Sequence, residues 1–189
     1  MKKFVVLGIA ALFAGQAMAN DGLYVGGQYS KNTLKVKEDG ISVSTDVGTL
    51  NLIGGYQFNQ NFALEARLGT GVKDKKWRDG SYTEKLSAGL SSGLYAKGIV
   101  PLSQEFSVYG VAGYARTEYK DTETGPNYKD TDKYSSNGFS YGIGGEFAFT
   151  PQLSATLEFL SLPTKTFRED GWEFKIRSSN VSVGINYRF

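Results

Sequence analysis

The sequence predicts an all-β chain: an eight-stranded antiparallel up-and-down transmembrane barrel with short periplasmic turns and long extracellular loops. Three observations carry that expectation. In the last nine residues, apolar Val181, Val183, Ile185, Tyr187 and Phe189 alternate with small or polar Ser182, Gly184, Asn186 and Arg188. A strand sends alternate residues to opposite faces, so one face here is greasy and the other wet. The series closes on an aromatic, as a strand completing a lipid-facing wall requires. Finally, eight segments share this period of two, and the spacers between them alternate long and short.

The chain opens with Lys2 and Lys3, an apolar run from Phe4 to Ala14, and the small-x-small site Ala17-Met18-Ala19. This is the pattern of a secretory signal peptide, residues 1–19, cut after Ala19 and leaving residues 20–189 as one barrel domain. The apolar run is too short for a spanning helix, which needs about 20 residues. The mean hydropathy of -0.30 excludes a helical membrane protein but not a barrel, in which only every second residue is apolar.

The first strand is Gly22–Lys31, with Leu23, Val25 and Tyr29 against Tyr24, Gln28 and Ser30. A polar loop, Asn32–Asp46, leads to Val47–Phe58, which carries Leu50, Leu52, Tyr56 and Phe58 on one face. After a turn at Asn59–Asn61, Phe62–Val72 presents Phe62, Leu64, Ala66 and Leu68 opposite Glu65 and Arg67. A charged loop, Lys73–Thr83, precedes Glu84–Leu102, with Leu86, Ala88, Leu90, Leu94 and Ala96 on the apolar face. The turn Ser103–Glu105 leads into Phe106–Thr117, and the longest loop, Glu118–Ser136, into Asn137–Phe149. The turn Thr150–Gln152, the strand Leu153–Leu162, a loop Pro163–Glu173 and the strand Phe174–Phe189 complete the series.

A soluble lipocalin-like barrel shares this alternation with its apolar face turned inward. The polar face here is small and glycine-rich, with Gly26, Gly55, Gly69, Gly89, Gly93, Gly113, Gly142, Gly144 and Gly184. That suits a narrow lumen better than a solvated exterior, and favours apolar-out. Setting aside Lys2 and Lys3, the remaining 19 basic residues equal the 19 acidic ones, so no global charge points to nucleic acid. The chain has no Cys and no His. That excludes a disulfide-stapled domain, a His-dependent hydrolase and the commonest zinc ligand. Neither cofactor nor metal is expected, and no catalytic residue is assigned.

Val108-Tyr109-Gly110-Val111-Ala112-Gly113-Tyr114-Ala115, Gly138–Phe147 and Val183–Phe189 carry a resemblance to the small eight-stranded outer-membrane barrels of Gram-negative bacteria. These are the OmpX/Ail group, the transmembrane domain of OmpA and the broader outer membrane protein beta-barrel domain or porin-family proteins. The resemblance covers the mature chain. It implies a cell outer-membrane location, outward loops, and insertion by the barrel assembly machinery, which reads the terminal strand; Tyr187 and Phe189 are the candidate signal.

With the apolar face in lipid, Glu65, Arg67, Lys97, Glu146, Glu158 and Arg188 enter the lumen beside Tyr24, Tyr95 and Tyr109. Charges removed from water must be paired, so these residues are expected to form a salt-bridged plug; the alternative is a gated ion or water path. Lys73, Lys75, Lys76, Trp77 and Arg78 form a second candidate site, set to meet lipopolysaccharide phosphates or a host or surface ligand such as a sulfated glycan. A solvated loop tip is the bland alternative. Trp172 and Phe174 are expected as interfacial anchors.

Overall fold

The computed structural model describes residues 22–38, 41–80, 82–126, 128–163, 165–169 and 172–189, and the side chains of 36–38, 41–43, 79, 129, 165–169 and 172–176 lie outside it. The expected signal peptide and the side chains of Trp172 and Phe174 fall outside the described set. The strands are β1 (Leu23–Glu38), β2 (Ile41–Asn59), β3 (Phe62–Lys73), β4 (Lys75–Asp79), β5 (Tyr82–Pro101), β6 (Phe106–Thr124), β7 (Lys129–Ala148), β8 (Leu153–Ser161), β9 (Lys165–Glu169) and β10 (Trp172–Arg188). All pairings are antiparallel. The order β1-β2-β3-β5-β6-β7-β8-β10 closes into a ring of eight through β1 and β10, leaving β4 on β5 and β9 on β10.

The barrel is apolar outside and polar inside. Ile143, Phe139, Leu90 and Leu94 are 63–70% exposed, whereas Glu65, Arg67, Lys97 and Glu158 are at most 8% exposed. Water would not tolerate that outer surface, and lipid requires it. The lipocalin-like arrangement is thereby excluded. Small inward residues make room for the lumenal aromatics: a side chain at Gly55 or Gly144 would run into the ring of Tyr24 or Tyr109.

Each tight turn is held by a side chain that accepts main-chain N–H groups. Asn59 Oδ1 accepts from Asn61 (2.9 Å), Ser103 Oγ from Phe106 (2.9 Å), and Thr150 Oγ1 from Leu153 (3.0 Å). These are the Asx and Ser/Thr turns that such residues favour.

At the opposite end the structure corrects the sequence reading. Most of the polar stretches expected as loops, Asn32–Asp46 and Glu118–Ser136, are strand: β1 and β2 pair out to Glu38↔Ile41, and β6 and β7 to Thr124↔Lys129. Part of Lys73–Thr83 forms β4, which turns into β5 at Gly80 (φ 55°), and part of Pro163–Glu173 forms β9. Outside the bilayer both faces are wet, so the apolar alternation fades while the hydrogen-bond ladder continues.

Leu86, Ala88 and Gly89 also depart from expectation. An irregularity between Ala88 and Ser91 puts one extra residue into β5 opposite β6. Such a bulge reverses facing along the strand. Below it Leu90 and Leu94 face lipid as expected, but above it Ala88 (8% exposed) turns inward and Leu86 packs beside it. Gly89 sits in the bulge under the side chain of Glu118 instead of lining the lumen.

The ladder also shows where the wall stops being continuous. The last β2–β3 pair is Gly48↔Lys73 and the last β7–β8 pair is Tyr141↔Ser161. Beyond those points, β4-β5-β6-β7 form one four-stranded lobe and β2-β1-β10-β9 another.

Candidate functional site

Period-two facing brings five of the six expected lumenal charges into one chain of contacts. Arg67 reaches across the ring from β3 to β8 with a two-pronged grip on Glu158: Nη1 donates to Oε1 (2.6 Å) and Nη2 to Oε2 (2.9 Å). Its Nε and Nη2 also donate to Glu65 Oε2 at 2.9 and 2.5 Å. The planar guanidinium fork suits two carboxylates at once. Tyr24 Oη donates to Glu65 Oε1 (2.7 Å), and Lys97 Nζ lies 3.4 Å from that same oxygen. Lys97 continues the chain to Glu146 Oε2 (2.9 Å), whose Oε1 accepts from Ser154 Oγ (2.7 Å).

Aromatic faces close the remaining sides of the cations. The Arg67 guanidinium lies 4.6 Å from the Tyr95 ring centre and Lys97 Nζ 4.0 Å from that of Tyr109, within cation–π range. Arg188 stands apart from this packing. It sits at the periplasmic mouth, 42% exposed, with Nη2 3.8 Å from Glu146 Oε1.

Above the ionic level the lumen holds a polar space of about 40 Å³, bounded by Gln28, Asn51, Arg67, Tyr95 and Asn180. Above that, toward the outer end, Val47, Ala88 and Tyr119 form an apolar layer backed by Leu34 and Leu86. Tyr119 Oη and Ser178 Oγ lie 2.9 Å apart and join β6 to β10 across the mouth. The lumen is thus filled at two levels of different chemistry. The upper one is missed in the sequence because its facing depends on the β5 bulge; the signal available was the run of apolar residues continuing past the expected membrane edge.

The second candidate site does not act as one patch. Residues directly opposite on neighbouring strands share a face, and by that rule Lys76 and Arg78 face outward while Trp77 faces the mouth; Lys75, the first residue of β4, borders a cavity with Asp46 and Lys73. Much of the β4–β7 lobe is sorted in this way, with Glu118 an acid on the outer face 3.6 Å from Lys120. Lys76 opposes Lys85, and Lys120 opposes Lys133, on the outer face. Glu84 opposes Glu123 and Glu123 opposes Asp130, with Asp121 opposite Asp132, on the inner face. Tyr134 shares the inner face, and its hydroxyl is pushed above the ordinary phenol range by loss of water and then by Asp132, Asp121 and Glu123. Among the described residues, no group of three or more acidic side chains is placed to hold a metal ion.

A family model for the outer membrane protein beta-barrel domain matches residues 4–189. The chain belongs to that family. No curated protein sequence matches it. Among solved structures, the barrel is similar to Ail, the attachment invasion locus protein of Yersinia pestis, in complex with the heparin analogue sucrose octasulfate. The TM-score is 0.55 at 16% identity, over 89% of this chain and 100% of Ail. It is similar to Neisserial surface protein A (TM-score 0.55, 17% identity, 89% and 98% covered) and to OprG from Pseudomonas aeruginosa (TM-score 0.54, 14% identity, 89% and 96% covered). At this identity what is shared is the fold. Family and fold together make this an outer-membrane protein that crosses the bilayer with its strands.

Proposed function

We propose that this barrel is a non-enzymatic, structural or surface-protective component of the outer membrane, exported by its 1–19 signal and inserted by the barrel assembly machinery. Its lumen is plugged, and its outer basic face grips lipopolysaccharide. The observation that carries this is the charge sorting of the β4–β7 lobe. Lysines directly opposite one another repel, yet Lys76 faces Lys85 and Lys120 faces Lys133 on the side turned toward neighbouring lipid. Asp74 and Glu118 meet Lys85 and Lys120 at 2.7 and 3.6 Å, and a layer of phosphates against that face offsets the remaining repulsion; basic residues at an anionic surface contribute about 1 kcal/mol each.

The test is barrier function. Cells carrying Lys76→Gln, Lys85→Gln, Lys120→Gln and Lys133→Gln together should fold the barrel normally but admit detergents and large hydrophobic antibiotics more readily. An unchanged barrier in that variant and in the deletion strain overturns the reading.

A second reading has one observation in its favour: the similar Ail structure holds a sulfated heparin analogue. The same outer lysines suit a sulfated host glycan. Heparin-column retention that persists when lipopolysaccharide is present, and falls in the four-lysine variant, would select this reading.

A further inference from the structure

Gly48 marks the place where β2 and β3 separate, and a cavity of about 390 Å³ opens there. Its lining includes Tyr29, Lys31, Asp46, Gly48, Lys73 and Lys75. The register fixes its height. Tyr29 and Leu50 are paired on the outer surface and are 42% and 49% exposed, so they belong to the lipid-facing band. The next outward-facing row along the strands is Lys31, Gly48 and Lys73. Two residues of strand advance about 7 Å, so this is the first polar row beyond the hydrocarbon.

Gly48 makes that row a notch between two cations. A side chain there would meet the Tyr29 hydroxyl at 2.7 Å and Lys73 Cβ at 2.9 Å. The tyrosine hydroxyl therefore points into the notch, with a lysine on the strand to either side. Lys31 is engaged by Asp46 (2.9 Å), and Asp74 by Lys85 (2.7 Å). Hydrogen bonds from Lys31 and then Thr33 hold the Asp46 carboxyl below its usual range, so it remains an ion pair with Lys31. Lys75 adds its charge to the same Asp46, and the lysines at 31, 73 and 75 against Asp46 and Asp74 leave the cavity net cationic. Among the described residues, β2 has no strand partner on this side beyond Gly48.

We infer that this cavity is a discrete binding site for the phosphate monoester of an outer-leaflet glycolipid, with Lys73 and Lys75 neutralising the phosphate and the Tyr29 hydroxyl donating to it. The lipid source follows from position: Tyr29 and Leu50 beneath the notch offer apolar surface to acyl chains, which a free anion does not need. The inference rests on the proposed contact with lipopolysaccharide, but it requires a shaped pocket where that proposal requires only a charged face.

The experiment holds the refolded barrel in neutral phosphatidylcholine nanodiscs and titrates bis-phosphorylated lipid A, following the Gly48 amide resonance. Saturable shifts are expected with lipid A, and none with its fully dephosphorylated form or with inorganic phosphate. Lys73→Gln with Lys75→Gln should weaken binding about thirtyfold, for two lost cation–phosphate contacts. Gly48→Ala, which keeps every charge but fills the notch, should also weaken it; if that variant fails to fold, Tyr29→Phe takes its place. Parent-like affinity in the lysine pair and in whichever notch variant folds overturns the site. If binding then falls in Lys120→Gln with Lys133→Gln, the charged-face reading survives without it. Inorganic phosphate that saturates the same resonance overturns the assignment to lipid.

Discussion

Tyr119 Oη and Ser178 Oγ meet at 2.9 Å across the outer mouth, joining a residue of β6 to one of β10 on the far side of the ring. The ionic bridge from Arg67 to Glu158 spans the ring lower down. On the proposed plug, ions entering this lumen would face a paired-charge barrier and then an apolar one, and apolar constrictions stop ions by shedding water.

Conductance should therefore respond only to a double lesion. Arg67→Ala leaves the Val47–Ala88–Tyr119 layer shut, and Tyr119→Ala leaves the ionic bridge intact. The two together should give steady current in planar bilayers, where the parent and each single variant give none. A parent that already conducts would replace the plug with a narrow channel.

Stability should be asymmetric within the bridge. Removing Arg67 strands Glu158 and leaves Glu65 to Lys97 and Tyr24 alone, whereas removing Glu158 leaves Arg67 still held by Glu65. Breaking a buried pair costs about 3–5 kcal/mol, softened here by lumenal water. Urea unfolding should place Arg67→Ala well below Glu158→Gln, with the exposed control Lys75→Ala near the parent. Combining Arg67→Ala with Glu158→Gln should recover part of the loss. Equal stability of Arg67→Ala and the parent would contradict the bridge.

The facing assignment predicts depth-dependent damage. Ile143→Arg and Leu90→Arg place a cation on the lipid face, at about 2–4 kcal/mol near mid-membrane. A spin label at either position should be quenched from the lipid phase. Quenching from water instead would turn the barrel inside out.

At the terminal strand, Tyr187 and Phe189 stack edge to face at 5.3 Å, and the Phe189 N–H donates to the Leu23 carbonyl at 3.1 Å, beside the β1–β10 seam. Deleting Phe189, or Phe189→Asp, should reduce the heat-modifiable, SDS-resistant form in the outer membrane. Normal yield would show that assembly reads another feature.

The membrane-embedded part of this fold was legible because lipid outside and crowding inside impose opposite demands on alternate residues. Glu65, Arg67 and Glu158 could be sent inward by parity alone. Which acid meets which base could not, since Arg67 and Glu158 face each other across the ring and no local pattern records that distance. Nor could the bulge at Gly89, which reverses Leu86 and Ala88 without interrupting their apolar run. Beyond the bilayer, Glu118–Ser136 hid its strands because Lys120 and Lys133, or Asp121 and Asp132, are polar on both faces.

Separating the wall into two lobes leaves rims with no strand partner among the described residues: the outer halves of β2 and β7, and one side each of β4 and β9. In a crowded membrane such rims invite adjacent copies to zip together into a continuous sheet. β4 meets that hazard with brevity and with Lys75, Lys76 and Arg78 in five residues, while β7 interleaves Asp130, Asp132 and Lys133. Two β4 rims brought together would set cation against cation, and short charged strands are how sheet proteins keep an uncovered edge from recruiting its neighbours. The lysines proposed to meet phosphate thus also disfavour edge-to-edge pairing of two β4 strands.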